Sequence, residues 1–217
     1  MNKKKAVIFD LDGVIVDTAK YHFIAWQQIA KELGIRFTKN DNELLKGVSR
    51  AKSLEIILKL ANKELSATEK QILLDKKNKH YLSLIADMKP GEMLAGINKL
   101  LKDLQAENIP FALGSASKNA KKILKVLQII DVFDAIVDGN DVKKAKPDPE
   151  VFLKAAGKLK VKPQNCVVIE DAQAGIIAAN KAGMFSIGIG DEEILKDAGM
   201  VLPDTAMLNV EIIKSVK

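Results

Sequence analysis

The chain has 217 residues, 47% hydrophobic and 29% charged, enough for one large domain or a domain with a smaller companion. The net charge of +6, from 34 basic and 28 acidic residues, suits anionic ligands, but short basic runs such as Lys3-Lys4-Lys5 and 5% aromatics argue against a nucleic-acid surface. A single cysteine, Cys166, rules out an intrachain disulfide or thiolate metal cluster. No apolar run approaches the ~20 residues of a membrane span or makes a signal-peptide core, so a cytoplasmic protein is expected.

The first element is Ala6-Val7-Ile8-Phe9, four apolar residues without polar alternation, the pattern of a strand buried on both faces. It runs into Asp10-Leu11-Asp12-Gly13-Val14. In extended chain Asp10 and Asp12 point to the same side. Two crowded carboxylates call for a cation, a shared proton or both; a solvated Asp-x-Asp-Gly turn is the plainer alternative.

Residues 19–88 carry helical periodicity only. Trp26, Ile29, Ala30 and Leu33 share one face, which ends at Gly34; Leu54, Ile57, Leu58 and Ala61 share another. Ser66 with Glu69 three residues on predicts a capping box opening a third helix to about residue 86. A helical insertion after the first strand is well placed to act as a lid, or is purely structural.

From there strands and helices alternate. Pro110–Ser115, Ala135–Asp138, Cys166–Ile169 and Phe185–Ile189 read as strands. Ile97, Leu100, Leu101 and Leu104 make one apolar helix face, Ile123, Leu124 and Leu127 a shorter one, and 173–182 a helix ended by Gly183. This predicts an α/β fold: a Rossmann-like parallel sheet core with helices on both faces plus an inserted all-helical cap domain. The boundaries are 1–17 and 89–217 for the catalytic core and 18–88 for the cap.

Polar residues stand at four strand ends. Ser115 precedes Ser117, Lys118 and Asn119 at a helix start, either a phosphate seat or an ordinary N-cap. Lys146-Pro147-Asp148-Pro149 sets a lysine before a rigid turn. Glu170-Asp171 follows a buried strand directly. Carboxylates, one lysine and one serine gathered at one sheet edge would make a site for Mg²⁺ and a phosphoryl group, with a carboxylate able to serve as nucleophile.

Asp10-Leu-Asp-Gly-Val14, Ser115, Lys146-Pro147 and Glu170-Asp171, in this order and spacing, resemble the haloacid dehalogenase superfamily over essentially the whole chain. The segments Asp17–Trp26, Leu45–Arg50, Ser115–Asn119 and Glu170–Gly175 resemble its branch of sugar-phosphate mutases. The resemblance implies reversible isomerisation of β-D-glucose 1-phosphate and D-glucose 6-phosphate, primed by β-glucose 1,6-bisphosphate. Asp10 would be the nucleophile and Asp12 the general acid/base. Mg²⁺ would be held by Asp10, the main-chain oxygen of Asp12, Glu170 and Asp171. Ser115, Lys146 and the Ala116 main chain would hold the transferring phosphoryl. Arg50, with Ser117 and Asn119, would clamp the second phosphate, and Lys118 belongs to the same loop. Gly47, Val48 and Ser49 would touch the sugar, His22 and Lys77 would face the crevice between cap and core, and Thr18 would lie at the hinge.

Three departures stand out. Ala172 occupies a position where relatives often carry serine, Asp148 adds a carboxylate near Lys146, and Gly114 is expected to loosen the strand end. A sugar-phosphate phosphatase of the same fold and a non-catalytic phosphosugar-binding protein are the rival readings. A monomer with small sugar phosphates as its only partners is expected.

Overall fold

The computed structural model describes residues 5–45 and 48–216. Backbone contacts divide the chain into two units, Met1–Asp17 with Pro90–Lys217, and Thr18–Lys89.

The first unit is an α/β sandwich. Its strands are β1 (Ala6–Phe9), β2 (Phe111–Gly114), β3 (Ala135–Val137), β4 (Cys166–Glu170), β5 (Phe185–Ile189) and β6 (Met200–Leu202), and its helices α5 (Ile97–Ala106), α6 (Ala120–Val126), α7 (Glu150–Leu159), α8 (Gln173–Lys181) and α9 (Val210–Ser215). The sheet order is β3-β2-β1-β4-β5-β6, and every neighbouring pair is parallel. Chain order therefore reverses between β1 and β4, the point where sheets of this kind open a ligand crevice at the carboxyl ends of their strands. Register fixes what meets there. Phe9 pairs with Leu113 on one side and Ile169 on the other, so the residues that follow, Asp10, Ser115 and Glu170, come out at one edge.

Both sheet faces are covered, which is why the strands are apolar throughout rather than alternating. Ala6, Ile8, Ala112, Cys166 and Val168 pack with Phe152, Ala155 and Ala156 of α7 and Ala178 and Ala179 of α8. Phe9, Phe111 and Phe133 meet edge to face, with ring centres 5.3 to 6.4 Å apart. Gly114 does not loosen β2. It pairs with Val137, and a Cβ there would lie 2.9 Å from Ile8 and from the Phe152 ring; the glycine lets α7 pack close beneath the strand end.

The second unit contains α1 (Ala19–Glu32), α2 (Lys39–Glu43), α3 (Arg50–Leu60) and α4 (Ala67–Ala86). Trp26, Ile29, Ala30, Phe37, Leu54, Ile57 and Leu58 form its core. Helix α1 stops at Gly34, whose φ of +68° only glycine adopts cheaply. Helix α4 opens on the capping box: the Glu69 N–H donates to Ser66 Oγ (3.3 Å), and Ser66 N–H donates to Glu69 Oε2 (2.8 Å), a pairing worth about 1 kcal/mol. Lys76 pairs with Glu32 at 2.7 Å and ties α4 to α1. Among the described residues no helix is long and apolar enough to cross a membrane.

Candidate active site

Asp10 is set at the carboxyl end of β1, its N–H donating to the Ile169 carbonyl of β4 at 2.9 Å. The residue is 7% exposed. One oxygen, Oδ2, accepts the N–H of Asp12 at 3.0 Å, and the other, Oδ1, accepts Lys146 Nζ at 2.5 Å. The carboxylate is thereby fixed in one orientation at the centre of the sheet edge.

Lys146 reaches this point from the turn before α7. Its ammonium also donates to Glu170 Oε1 at 2.6 Å and sits 4.7 Å from the centre of the Phe152 ring. Burial alone would push the lysine pKa down. The charges and hydrogen bonds of Asp10 and Glu170 outweigh it and hold the ammonium above the ordinary lysine range. Glu170 is pushed up by burial and by Asp10, and Lys146 opposes the rise. Its second oxygen accepts the Ala172 N–H at 2.7 Å, so the main chain supplies the partner at a position where the side chain has no hydroxyl. Asp148 turns elsewhere: it accepts the Glu150 N–H at 3.0 Å and lies 3.6 Å from Lys144 Nζ.

The fit to a divalent cation is read from Gly13. A Cβ on Gly13 would fall 2.0 Å from Asp171 Oδ2, so the Asp171 carboxylate occupies space that any other residue in the Asp10–Gly13 turn would fill. Gly175 does the same for Glu170, where a Cβ would lie 1.9 Å from Oε1. The donors around the turn are all hard oxygen. Among the described residues no three His, Cys, Asp or Glu side chains already form a closed cage. A cation that keeps waters and takes substrate oxygens, as Mg²⁺ does, needs none.

The loop after β2 supplies donors for an anion. Ser115 is 1% exposed, and its N–H donates to the Val137 carbonyl at 3.0 Å. Its hydroxyl accepts the Ser117 N–H at 3.1 Å, and the Ser117 hydroxyl accepts the Asn119 N–H at 3.3 Å. Asn119 is buried at the start of α6, and Lys118 is exposed. Asp10, Asp12, Ser115 to Asn119, Lys146, Glu170 and Asp171 thus all belong to the carboxyl edge of the sheet.

The remaining candidates belong to the helical unit. Lys77 is 2% exposed, with its Nζ 2.7 Å from His22 Nδ1 and 4.9 and 4.6 Å from the Trp26 and Tyr81 ring centres. Burial, Lys77 and then Arg50 drive the His22 pKa well below its usual 6.5. The neutral ring therefore accepts from Lys77 at Nδ1 and carries its own proton at Nε2. Thr18 is buried and accepts the Tyr21 and His22 N–H groups at its carbonyl, both at 3.0 Å. Ser49 caps α3 by accepting the Lys52 N–H at 3.3 Å, which places Val48 just before the helix and Arg50 in its first turn. Gly47 lies outside the described residues.

Phe152 and Gly175 belong to the site and are not legible as such in the sequence. Phe152 is one apolar position among five buried ones on α7, a signal of burial rather than of contact with a lysine. Gly175 stands within a helix, where an isolated glycine signals a close approach without naming what approaches.

Residues 7–189 match the family model of the haloacid dehalogenase-like hydrolases. A β-phosphoglucomutase from Bacillus subtilis is 50% identical over 96% of this chain and 93% of its own. A phosphorylated carbohydrates phosphatase from Thermotoga maritima is 30% identical over 91% of this chain and 92% of its own. The crystal structure of a β-phosphoglucomutase from Clostridium difficile superposes with a TM-score of 0.93 at 48% identity, covering 97% of this chain and 95% of that one.

Proposed function

Since this chain belongs to the haloacid dehalogenase-like hydrolase family, whose members use Mg²⁺, we propose that it is an isomerase interconverting β-D-glucose 1-phosphate and D-glucose 6-phosphate. The observation that carries this over a phosphatase is the 50% identity to a mutase across almost the whole chain, against 30% to a phosphatase.

Phospho-Asp10 donates its phosphoryl group to the C6 hydroxyl of β-glucose 1-phosphate. The bond from phosphorus to Asp10 breaks, the bond to O6 forms, and Asp12 takes the hydroxyl proton. The product, β-glucose 1,6-bisphosphate, turns end for end. Asp10 then attacks the phosphorus on O1, Asp12 returns a proton to O1, and glucose 6-phosphate leaves. Lys146 and Ser115 hold the transferring group, the lysine as a fixed positive charge. The Asp10 carboxylate, the Asp12 main-chain oxygen, Glu170 and Asp171 would hold the magnesium. When bound, the ion neutralises charge on the transferring phosphoryl.

The helical unit acts as a cap in this reading. Arg50 takes the second phosphate with Ser117, Lys118 and Asn119, since a guanidinium fork fits a phosphate that has to be held and released twice per cycle. Val48, Ser49 and Gly47 meet the sugar, and His22, Lys77 and Thr18 accompany closure. The chain works as a monomer. Asp10→Asn abolishes turnover in an enzyme and leaves sugar-phosphate affinity largely intact in a mere binding protein. Arg50→Ala raises the ratio of phosphate released to glucose 6-phosphate formed; an unchanged ratio removes Arg50 from the clamp.

A further inference from the structure

Next to the phosphate-holding loop stands a turn without an assigned role. It follows β3 and consists of Asp138, Gly139, Asn140 and Asp141. Gly139 N–H donates to the Ser117 carbonyl at 3.2 Å, and Asn140 Nδ2 donates to the Lys118 carbonyl at 3.0 Å. A Cβ on Gly139 would lie 2.2 Å from the Ala116 carbonyl oxygen and 3.0 Å from the Lys118 nitrogen. These are backbone atoms and cannot swing aside as a side chain would. Gly139 is not among the positive-φ glycines, so space, not backbone conformation, demands glycine here.

The turn is itself held firmly. Asp138 is 1% exposed. Its N–H donates to Asp141 Oδ2 at 2.9 Å, its Oδ1 accepts the Asn140 N–H at 2.8 Å, and Lys121 of α6 lies 3.6 Å from its other oxygen. Strand and helix thus fix the turn, and the turn holds Ser117 and Lys118 of the loop by hydrogen bonds and abuts the Ala116 carbonyl. Ser115 is anchored by β-pairing to Val137 at 3.0 Å, and its hydroxyl accepts the Ser117 N–H of the loop.

We infer that the Gly139–Asn140 turn positions the phosphate-holding loop for the second, non-transferring phosphate of the substrate, with Gly139 as the principal positioning residue. This rests on Ser117 and Asn119 receiving that phosphate. Gly139 holds Ser117 and Asn140 holds Lys118, so the turn sets affinity for a sugar bisphosphate or phosphohexose; Gly139 also borders the Ala116 carbonyl, beside the transferring group, and Asn140 does not.

Two variants test this, Gly139→Ala and Asn140→Asp. The second replaces a donor by an acceptor at an exposed position and keeps the fold. KM for β-glucose 1-phosphate and affinity for glucose 1,6-bisphosphate are measured beside Asp10-dependent phosphate release from acetyl phosphate, which carries no second phosphate. Asn140→Asp raises KM and weakens bisphosphate binding roughly fivefold, the effect of losing one hydrogen bond, and Gly139→Ala does so more strongly. In Asn140→Asp, acetyl phosphate turnover and the unfolding midpoint stay within twofold and a few degrees of the parent. Unchanged KM and bisphosphate affinity in Asn140→Asp overturn the inference, as does an equal loss of acetyl phosphate turnover in that variant. If Gly139→Ala does not fold, Asn140→Asp decides alone. A parent protein that binds the bisphosphate yet makes no glucose 6-phosphate contradicts the mutase assignment, and the affinity comparison still decides the role of the turn.

Discussion

Lys146 touches two carboxylates and an aromatic face, at 2.5, 2.6 and 4.7 Å, and this one side chain joins stability to chemistry. It stays charged throughout the working pH range, so it acts as a fixed cation and not as a base. Lys146→Met leaves Asp10 and Glu170 buried without their partner. The expected cost is about 3–5 kcal/mol of stability, read from the urea midpoint, with turnover down roughly 10²–10³-fold. His22 makes a separate, pH-dependent contribution. Its folded pKa lies below its unfolded value of about 6.5, so at pH below 6.5 the unfolded chain binds a proton that the folded one refuses. The stability this confers is fully present above pH 6.5 and is lost as pH falls towards the folded pKa. His22→Gln should therefore flatten the dependence of the unfolding midpoint between pH 7.5 and 5.5; an unaltered slope would place the acid sensitivity elsewhere. Asp10, Asp12 and Glu170 were readable in the sequence because charged residues directly after apolar strands are unusual; Lys146, well beyond the end of β3, was readable through the family resemblance of Lys146-Pro147. Phe152 was not, because a phenylalanine on an apolar helix face looks the same whether it packs on a leucine or on an ammonium.

The turn after β1 is where sequence pattern and site geometry meet. Gly13 has φ +79° and leaves room for Asp171 Oδ2 where a Cβ would lie 2.0 Å away. Gly13→Ala is strained in backbone and displaces a carboxylate. We expect Mg²⁺ affinity to fall roughly 10–100-fold, the usual cost of disturbing the support of a metal ligand, measured by calorimetric titration so that binding is read apart from turnover. Parent-like affinity would mean that Asp171 does not hold the ion. The strands β1 to β5 were legible as short apolar runs, and α1, α3, α5, α6 and α8 as helical segments. Helix α4 was legible from its cap alone, since only three of its twenty residues are buried. The elements α2, α9 and β6 were not anticipated. They run to five, six and three residues, too short for a period to show, and they exist because tertiary neighbours complete them. The close approach at Gly114 was misread for a related reason: a glycine reveals that space is needed, not which neighbour needs it.

The order β3-β2-β1-β4-β5-β6 gathers residues 10, 115, 146 and 170, distant in sequence, at one end of a parallel sheet. The helical unit leaves the chain between β1 and β2, immediately after the Asp10–Gly13 turn. A phosphatase and a mutase share the sheet edge and differ in whether water or a sugar hydroxyl accepts the phosphoryl group. The central claim is therefore a claim about the acceptor. The direct test is phosphorus NMR of the purified protein with Mg²⁺ and a trace of glucose 1,6-bisphosphate, given β-glucose 1-phosphate and, separately, the α anomer. Conversion of the β anomer alone to glucose 6-phosphate, with little free phosphate, is the predicted result. Inorganic phosphate as the main product would make the protein a phosphatase and contradict the roles assigned to Arg50 and its neighbours.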